Sequence, residues 1–423
     1  METGLPVLFY PIFIALFALG VRIAGLFSPK ARAWAEGRRN WAERLGKELA
    51  GNSTPLIWMH CASAGEFEQG KPVLEALRQQ FPGHRLLVSF FSPSGYEVGK
   101  KYKGADHVTY LPLDTAANAD RFLELTKPAL VIFIKYDYWY RHLRAVHRRG
   151  IPLLLVSALF QPRQAFFKWY GGLHRRMLTY FTWLFVQDES SVALLQHIGI
   201  TKASANGDTR FDRVAHITAN PAPIPLVEAF VQGAEHVLVA GSTWPEDEAL
   251  FPYLPWQDDI KLIIAPHEFG GSRIAGLKAR FGQQVSTYSE GEAAGGLPPD
   301  VRVLIIDNFG MLSRLYRYGT IAYIGGGFNK SGIHNTLEAA AWGKPVLFGP
   351  NYQKFREAVG LIEAQAAESV DTPARFTYEC SQLRIEPWIA PKVGARARAY
   401  VEEHIGATGR IIRFIQENRL LTS

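Results

Sequence analysis

The segment from Ile324 to Pro350 carries glycines, an amide and a carboxylate in an order suited to binding a phosphate. An apolar strand runs into Gly325–Gly327, and glycine lets a backbone approach a ligand closely and adopt positive φ. Gly332 follows, and Asn335–Glu338 (N-T-L-E) opens a predicted helix. Its free N–H groups and positive dipole end suit a phosphate, while the Glu338 carboxylate can accept bonds from ribose hydroxyls.

The order of these elements is more specific than any one of them. A triple glycine alone also fits an ordinary turn capped by Asn335, whereas here a second strand follows and ends at Gly349-Pro350. No G-K-[ST] follows the glycines, so this is not a Walker A loop. The ordered set predicts a nucleotide-sugar site whose candidate contacts are Gly326, Gly327, Gly332, Asn335, Thr336, Leu337 and Glu338.

A second segment, Leu56 to Pro72, places a carboxylate at the end of another strand. The predicted strand ends at His60, small residues make a tight turn, and a helix begins near Glu66. A carboxylate at that place can take a proton from a sugar hydroxyl. On spacing alone, a helix N-terminal glutamate stabilised by the dipole is the favoured interpretation. The C-A-S-A-G turn is not the G-x-S-x-G nucleophile elbow, which argues against a serine hydrolase.

Three shorter segments, two of them after predicted strands and the third just before the predicted linker, carry further candidates, and each alone is more typical of a capped turn than of a site. Ser242 and Thr243 (A-G-S-T-W-P-E-D-E) are suited to capping a helix or binding phosphate. A-P-H-E, which begins at Ala265, is not a zinc-protease motif because H-E-x-x-H would need histidine at Gly271. Arg210, in G-D-T-R-F-D, is placed to reach a departing phosphate.

Length and composition limit the classes of protein. The chain has 423 residues, which favours two domains because a single core rarely grows that large. It is 48% hydrophobic and 20% charged, as expected of a globular protein. The net charge of +7 favours acidic partners. Cys61 and Cys380 are the two cysteines and no Cys/His cluster occurs, so no zinc site is predicted and a reducing compartment is plausible. No cofactor is predicted.

Apolar runs alternate with helical segments in two series that position these motifs. Almost wholly apolar strands such as L-V-I-F-I indicate parallel sheets covered on both faces, and hence a doubly wound α/β fold. Three prolines in A-N-P-A-P-I-P indicate a stiff connector between the series. The predicted parts are an anchor (1–28), an N-terminal Rossmann-like domain (29–213), a linker (214–226), a C-terminal Rossmann-like domain (227–400) and a C-terminal helix (401–423). A cleft between the two domains would receive ligands at the carboxyl ends of the strands.

The N-terminus resembles a membrane anchor. Leu5–Val21 carries no charge and is close to the length that a spanning helix needs. Glu2 and the lack of an A-x-A site argue against a signal peptide, and a basic flank predicts that the rest of the chain is cytoplasmic. We predict an uncleaved anchor that spans or lies in the interface, with a buried helix as the alternative. The flank consists of Lys30, Arg32, Arg38, Arg39, Arg44 and Lys47.

A basic and aromatic segment from Arg163 to Trp183 is suited to contact with an anionic lipid surface. A solvated helix face with some core aromatics explains it equally well. Nucleic acid is not a predicted partner because no reader motif accompanies the charge.

Taken together, these residues resemble the 3-deoxy-D-manno-octulosonic acid (Kdo) transferases of lipopolysaccharide synthesis over nearly the whole chain. The resemblance rests on H-C-A-S-A-G-E, Y-L-P-L-D, G-D-T-R-F-D, the anchor with its basic flank, and G-I-H-N-T-L-E-A-A-A-W-G-K-P-V-L-F-G-P. It implies a GT-B fold, CMP-Kdo as donor, a lipid A precursor as acceptor, location at the inner membrane, and inversion without a metal.

The resemblance also implies roles for individual residues. The family's general base falls on Glu66 and its transition-state cation on Arg210. Its cytidine-nucleotide contacts fall on Pro266 and His267, on Phe309, Gly310 and Met311, and on Asn335 to Glu338. The acceptor side is assigned to Ser63, Gly65, Lys135 and Asp137.

Three segments depart from the family pattern. The usual M-E-T-E-L-W reads I-K-Y-D-Y-W, so Asp137 keeps one acid while Lys135 replaces the other. The usual P-R-H reads P-H-E at Pro266, and the usual M-G-E reads F-G-M, which removes a carboxylate at Met311.

The predicted reaction is a direct displacement in which Glu66 deprotonates an acceptor hydroxyl as CMP leaves. Two alternatives stay open at this point. Another GT-B transferase or an epimerase would share the Gly325–Pro350 segment without needing the anchor or Glu66. A non-catalytic, membrane-anchored sugar- or lipid-binding protein would keep the fold and lose turnover.

Overall fold

The computed structural model describes residues 5–257 and 259–421, with side chains from residue 9 onward. It divides into two compact units: unit 1 comprises residues 1–213 and 406–423, and unit 2 comprises residues 214–405. Residues 1–4 of the predicted anchor, and 422–423 of the predicted C-terminal helix, lie outside the described part.

Unit 1 is built on a parallel sheet with strand order β3-β2-β1-β4-β5-β6-β7. Its strands are β1 (Leu56–Cys61), β2 (Arg85–Phe90), β3 (His107–Tyr110), β4 (Pro128–Ile134), β5 (Leu153–Ala158), β6 (Trp183–Val186) and β7 (Ala203–Ala205). Its helices are α1 (Leu5–Ala24), α2 (Pro29–Gly37), α3 (Trp41–Glu48), α4 (Ala64–Gln80), α5 (Pro93–Lys100), α6 (Ala116–Thr126), α7 (Tyr140–Arg148), α8 (Gly172–Thr179) and α9 (Glu189–His197), with α10 (Thr209–Ala219) running into unit 2.

Unit 2 repeats this plan with strand order β10-β11-β9-β8-β12-β13-β14. Its strands are β8 (His236–Thr243), β9 (Ile260–Pro266), β10 (Val285–Thr287), β11 (Val303–Ile305), β12 (Ile321–Ile324), β13 (Val346–Phe348) and β14 (Ala367–Ser369). Its helices are α11 (Pro225–Val231), α12 (Pro245–Glu248), α13 (Gly271–Phe281), α14 (Tyr288–Ala294), α15 (Leu312–Leu315), α16 (Leu337–Ala341), α17 (Arg356–Glu363), α18 (Pro373–Ile385) and α19 (Ile389–His404), and α20 (Ala407–Glu417) returns to unit 1. Short 3-10 helices cover Ala165–Phe167, Phe251–Tyr253 and Tyr316–Tyr318.

Both sheets have buried strands, as their apolar sequences require. β1, β5 and β12 are buried at every residue, so helices cover both faces of each sheet. In each sheet the strand order reverses beside the first strand, between β1 and β4 in unit 1 and between β8 and β12 in unit 2. Open α/β sheets bind ligands outside the carboxyl ends of strands at such switch points.

The predicted linker and the predicted single C-terminal helix are both corrected by the structure. Residues up to Ala219 are helical in α10, and Pro225 starts α11, where its missing N–H costs nothing, so the extended stretch is limited to residues 220–224. The predicted long helix breaks before Gly406, whose φ is 103°. The Asp212 carboxylate accepts the N–H of Gly406 at 2.5 Å and that of Thr408 at 2.7 Å, which caps α20 and ties it to unit 1.

Helix α1 packs on unit 1 through one apolar face and leaves another exposed. Ile14 is buried, and Phe17 contacts the rings of Trp34 and Phe91. Among the described residues, no helix has the length and apolar character that crossing a membrane requires. The exposed large side chains recur at helical spacing and continue into the following turn; they are Phe9, Ile12, Phe13, Leu16, Leu19, Ile23, Leu26 and Phe27.

One member of the predicted basic flank is a packing residue instead of a surface charge. The Arg38 guanidinium donates to the carbonyls of Phe91 at 2.7 Å and Leu111 at 2.9 Å and lies 3.8 Å from the centre of the Trp34 ring. Burial lowers the pKa of Arg38 to about 9, which leaves it charged at neutral pH. Arg38 therefore joins α2 to the sheet of unit 1.

Candidate functional site

The candidate base and the acceptor-side residues of unit 1 lie at its switch point. The turn after β1 carries Ser63, Gly65 and Glu66, and the turn after the neighbouring β4 carries Lys135 and Asp137. Both turns leave the same edge of the sheet because the two strands are parallel. The structure thus brings together residues that are separated widely in sequence.

Glu66 lies in the first turn of α4 and is partly exposed. Ser63 is the N-cap, and its hydroxyl both accepts the Gly65 N–H at 3.2 Å and donates to Glu66 Oε2. These contacts fix the carboxylate against the helix start, as the dipole interpretation predicted. They also hold it at the carboxyl end of β1, where a bound hydroxyl would be met.

Asp137 ends a buried polar chain that sequence reasoning missed. Trp58 Nε1 donates to Ser89 Oγ at 2.7 Å, Ser89 Oγ lies 2.8 Å from His60 Nδ1, and His60 Nε2 lies 2.7 Å from Asp137 Oδ2. The Asp137 carboxylate can only accept, so His60 Nε2 carries a proton and donates it to Asp137. In the tautomer with one proton, His60 Nδ1 is then the acceptor and the Ser89 hydroxyl donates to it. Histidine and serine within the apolar strands L-I-W-M-H-C and R-L-L-V-S-F were the available signal.

Arg210 is oriented by Asp208, and both are tied to the helix that carries Glu66. Arg210 Nε donates to Asp208 Oδ2 at 2.9 Å, and Gln69 Nε2 donates to Asp208 Oδ1 at 3.0 Å. Thr209 Oγ1 donates to the carbonyl of Gln69 at 2.6 Å. Gln69 follows Glu66 by one helical turn, so these bonds join the two candidate catalytic residues within unit 1.

Two cations, Arg210 and Lys135, interact with the buried Asp208 carboxylate. Burial opposes its ionisation, but the Arg210 guanidinium and the nearby Lys135 charge outweigh burial and hold the pKa of Asp208 below its usual range. Lys135 also has a φ of 62°, a conformation that is uncommon outside glycine and frequent at functional sites. The replacement of an acid by Lys135 therefore adds a cation beside Arg210.

In unit 2, the turn after β8 and the glycine loop after β12 are held together by Asp247. Its carboxylate accepts the N–H groups of Trp244 and Gly326, both at 2.8 Å, and the Tyr323 hydroxyl at 2.9 Å. Asp247 is fully buried, and burial raises its pKa. Ser242, at a bulge with φ of 53°, lies at this turn. Asp247 was not a predicted site residue, although it stands within the A-G-S-T-W-P-E-D-E motif.

The glycines bring backbone segments together. A side chain on Gly326, whose φ is 92°, would place its Cβ 2.6 Å from the carbonyl oxygen of Gly332. One on Gly327 would come 2.5 Å from the Cα of Gly349. Close packing of the loops therefore requires these glycines, in addition to any approach to a ligand.

A stack of three rings extends from this loop. Trp244 stacks on His267 with ring centres 4.8 Å apart, and His267 lies 4.6 Å from the His334 ring. Trp244 Nε1 lies 3.3 Å from His334 Nε2, which fixes that nitrogen as the acceptor and places the His334 proton on Nδ1. Burial, followed by the charge of His267, lowers the pKa of His334 to about 4. His334 was missed as a site residue although it adjoins Asn335.

The predicted nucleotide contacts differ in how far their side chains are exposed to solvent. Asn335 Oδ1 accepts the Leu337 N–H at 3.1 Å, and its amide donates to Glu338 at 3.2 Å, so both polar side chains flank the start of the short helix α16. Phe309 is exposed and its ring contacts Phe269, and Gly310 and His267 are also exposed. The buried group comprises Thr243, Pro266, Met311, Gly326, Gly327, Gly332, Thr336 and Leu337.

Thr243 in particular is occupied. Its hydroxyl donates to the buried Glu248 at 2.7 Å, so it supports the turn and does not point to a ligand as predicted. Among the described residues, the cluster with metal-ligand spacing is Glu235, His236 and Asp259. It lies at the amino ends of β8 and β9, opposite the switch point.

Several known proteins are similar to this chain. The family model described as 3-deoxy-D-manno-octulosonic-acid transferase (kdotransferase) matches residues 39–213. A 3-deoxy-D-manno-octulosonic acid transferase of Aquifex aeolicus is 29% identical over 329 residues, covering 76% of this chain and 83% of the relative. That of Bordetella pertussis is 27% identical over 399 residues, covering 88% and 90%. This chain is thus similar to Kdo transferases over most of its length.

Solved structures confirm the predicted GT-B fold class. UDP-GlcNAc 2-epimerase from Neisseria meningitidis, bound to UDP-GlcNAc, aligns with a TM-score of 0.61 at 15% identity over 86% of this chain and all of that chain (100%). Acinetobacter baumannii MurG aligns with a TM-score of 0.51 at 13% identity, covering 86% of this chain and 99% of that one. At such identities these likenesses show the fold alone.

Proposed function

We propose that this glycosyltransferase transfers Kdo from CMP-Kdo to a lipid A precursor in lipopolysaccharide biosynthesis. The observation that carries the proposal is that each α/β unit places its motif at a switch point, in a chain whose relatives are named Kdo transferases. The Glu66 carboxylate and Lys135 lie at the switch point of unit 1, and Arg210 is linked through Asp208 to the helix that carries Glu66. In unit 2, a glycine loop with Asn335 and Glu338 follows the switch-point strand β12.

The proposed chemistry is a direct displacement that inverts the anomeric carbon and uses no metal. Glu66 removes the proton from a glucosamine hydroxyl, the resulting oxygen attacks the Kdo anomeric carbon, and the bond to the CMP phosphate breaks. Arg210 and the N–H groups near Asn335 stabilise the charge that develops on the phosphate. The link between Gln69 and Asp208 supports this assignment because it holds Glu66 and Arg210 in one rigid cluster.

The proposal is tested by turnover with CMP-Kdo and a lipid A precursor, followed by product mass. We expect Glu66→Gln to lower turnover by about 10²–10⁴-fold, the usual share of a general base, while CMP still binds. Glu68→Gln is the matched control, because Glu68 lies on the same helix and pairs with Lys71 at the surface. Normal turnover in Glu66→Gln would refute the assignment of Glu66 as the general base. A product formed only with other nucleotide sugars, or an epimerised sugar formed without the acceptor, would refute CMP-Kdo as the donor.

We propose in addition that the protein attaches to the cytoplasmic face of the inner membrane. The exposed apolar face of α1 supports this, because soluble proteins rarely expose a contiguous apolar surface of that kind. Trp169, 91% exposed beside Lys168, adds an aromatic and basic contact of the type found at lipid interfaces. We expect flotation with anionic vesicles, weakened in a variant with Leu16→Ser and Leu19→Ser. Equal flotation of that variant, or none of the wild type, would refute the attachment.

A further inference from the structure

Unit 1 contains an apolar pocket that the proposed reaction does not use. Its volume is about 740 Å³, within the usual range for small-molecule sites. Helix α1 contributes Phe9 and Phe13, and helix α8 contributes Leu173 and Met177. Ala165 and its neighbours in the 3-10 helix close another side. The lining is mainly aromatic and aliphatic, as a site for a hydrocarbon requires.

The α1 wall of this pocket is fixed in place by a buried polar cluster. The Tyr10 hydroxyl donates to the Asp114 carboxylate. Asp114 also accepts the backbone N–H groups of Arg141 and His142, both at 2.9 Å, and contacts the His142 ring. Asp114 is therefore an anchor point shared by α1 and the start of α7. Helix α1 is a built part of the pocket rather than a loosely attached membrane tether.

The two sides of the pocket differ in chemistry. On one side are Asp137 and Trp139, and Asp137 is the acceptor-side carboxylate held by His60. On the other side Phe9 and Phe13 are more than half exposed and continue the apolar face of α1. A hydrocarbon that enters beside α1 would bring an attached sugar toward Asp137 and the switch point of unit 1.

We infer that this pocket binds one acyl chain of the lipid acceptor, so that α1 is part of the acceptor site. The inference rests on the proposed function and adds to it the part of the acceptor that is recognised. The continuity of the pocket with the exposed face of α1 selects a membrane lipid chain over a soluble ligand. The enzyme then distinguishes acceptors by their chains as well as by their sugars.

The test narrows the pocket and compares two acceptors. Leu173→Trp fills the lining, and Leu194→Trp is the matched control, since Leu194 is a similarly half-buried leucine that packs against the same core and lies outside the pocket. The acceptors are an acylated lipid A precursor and its fully deacylated, water-soluble disaccharide. We expect Leu173→Trp to raise the KM of the acylated acceptor about tenfold or more, which corresponds to lost burial of roughly two methylenes. The KM of CMP-Kdo and turnover of the deacylated acceptor should change by less than about twofold.

A second measurement does not depend on turnover. A phospholipid with a diazirine near the end of its acyl chain is photolysed with the wild-type protein, and cross-linked peptides are identified by mass spectrometry. We expect labelling of the α8 peptide that contains Leu173 and Met177, with loss of that label in Leu173→Trp and in the milder Ala165→Leu. Equal effects on both acceptors, or unchanged labelling in both variants, would overturn the pocket assignment. Absence of Kdo transfer by the wild type, with labelling retained, would instead overturn the proposed function.

Discussion

Substitution of Ser89 by alanine tests whether the buried chain from Trp58 to Asp137 positions the acceptor side. The Ser89 hydroxyl accepts from Trp58 Nε1 at 2.7 Å and bonds His60 Nδ1 at 2.8 Å. All three residues are fully buried. Ser89→Ala therefore removes one hydroxyl and leaves two buried polar atoms without their partner.

The expected cost follows from those two atoms. A buried donor or acceptor left unsatisfied costs about 1–3 kcal/mol, so the two atoms together should lower the free energy of unfolding of Ser89→Ala by roughly 2–6 kcal/mol. With its Nδ1 partner gone, His60 loses one of the two bonds that orient its ring, and the contact with Asp137 weakens. We expect the acceptor KM to rise several-fold while the KM of CMP-Kdo stays the same.

Urea denaturation and steady-state kinetics measure the two effects. Ser204→Ala is the matched control, because Ser204 Oγ accepts from Trp183 Nε1 at 2.9 Å in the same unit, away from the switch point. Because Trp183 is only partly buried, Ser204→Ala should lower the free energy of unfolding by less than Ser89→Ala does. A smaller stability loss for Ser89→Ala than for Ser204→Ala, or a rise in the CMP-Kdo KM alone, would refute the reasoning.

Two further predictions concern unit 2. Gly326→Ala should lower the free energy of unfolding by about 2–4 kcal/mol, because positive φ costs about 1–2 kcal/mol and the new Cβ would meet the Gly332 carbonyl oxygen at 2.6 Å. The control is Gly233→Ala, where φ is 78° and the space around the Cβ is open, so the same urea titration should show the cost of positive φ alone. Equal losses in the two variants would contradict the steric clash at Gly326. The pKa of His334 is lowered to about 4 in the folded protein, whereas an unfolded histidine has a pKa of about 6.5. Between these two pH values the folded protein binds fewer protons than the unfolded chain, so the free energy of unfolding should rise with pH by at most about 3 kcal/mol. His334→Gln should flatten this rise in urea titrations at several pH values, and an unchanged slope would show that His334 is not its source.

The strand pattern and the motif ends were accessible from the sequence because they depend on neighbouring residues. The apolar run L-V-I-F-I is found in β4, and L-I-W-M-H in β1. The strands β7, β10 and β14 were missed, since their sequences A-S-A, V-S-T and A-E-S are not apolar runs, unlike those of the equally short β11 and β13. The break at Gly406 was also missed, because its cap comes from Asp212, far away along the chain.

The residues of the candidate site also differ in whether local sequence or distant contacts reveal them. Glu66, Asn335 and Glu338 are recognisable from the sequence because their segments follow predicted strands, whereas Arg210 follows β7, which was not predicted. The Trp58–Ser89–His60 chain is not recognisable, since its bonds join residues on adjacent strands that read as apolar core.

By itself, the sequence determined that two parallel α/β units carry a carboxylate turn and a glycine loop, because hydrophobic period and turn chemistry act over a few residues. Only the tertiary structure decided that Lys135 and Asp137 lie beside the Glu66 turn, that Asp247 joins Trp244 to Gly326, and that α1 forms the wall of a pocket. These contacts arise from strand order and from hydrogen bonds between residues far apart along the chain.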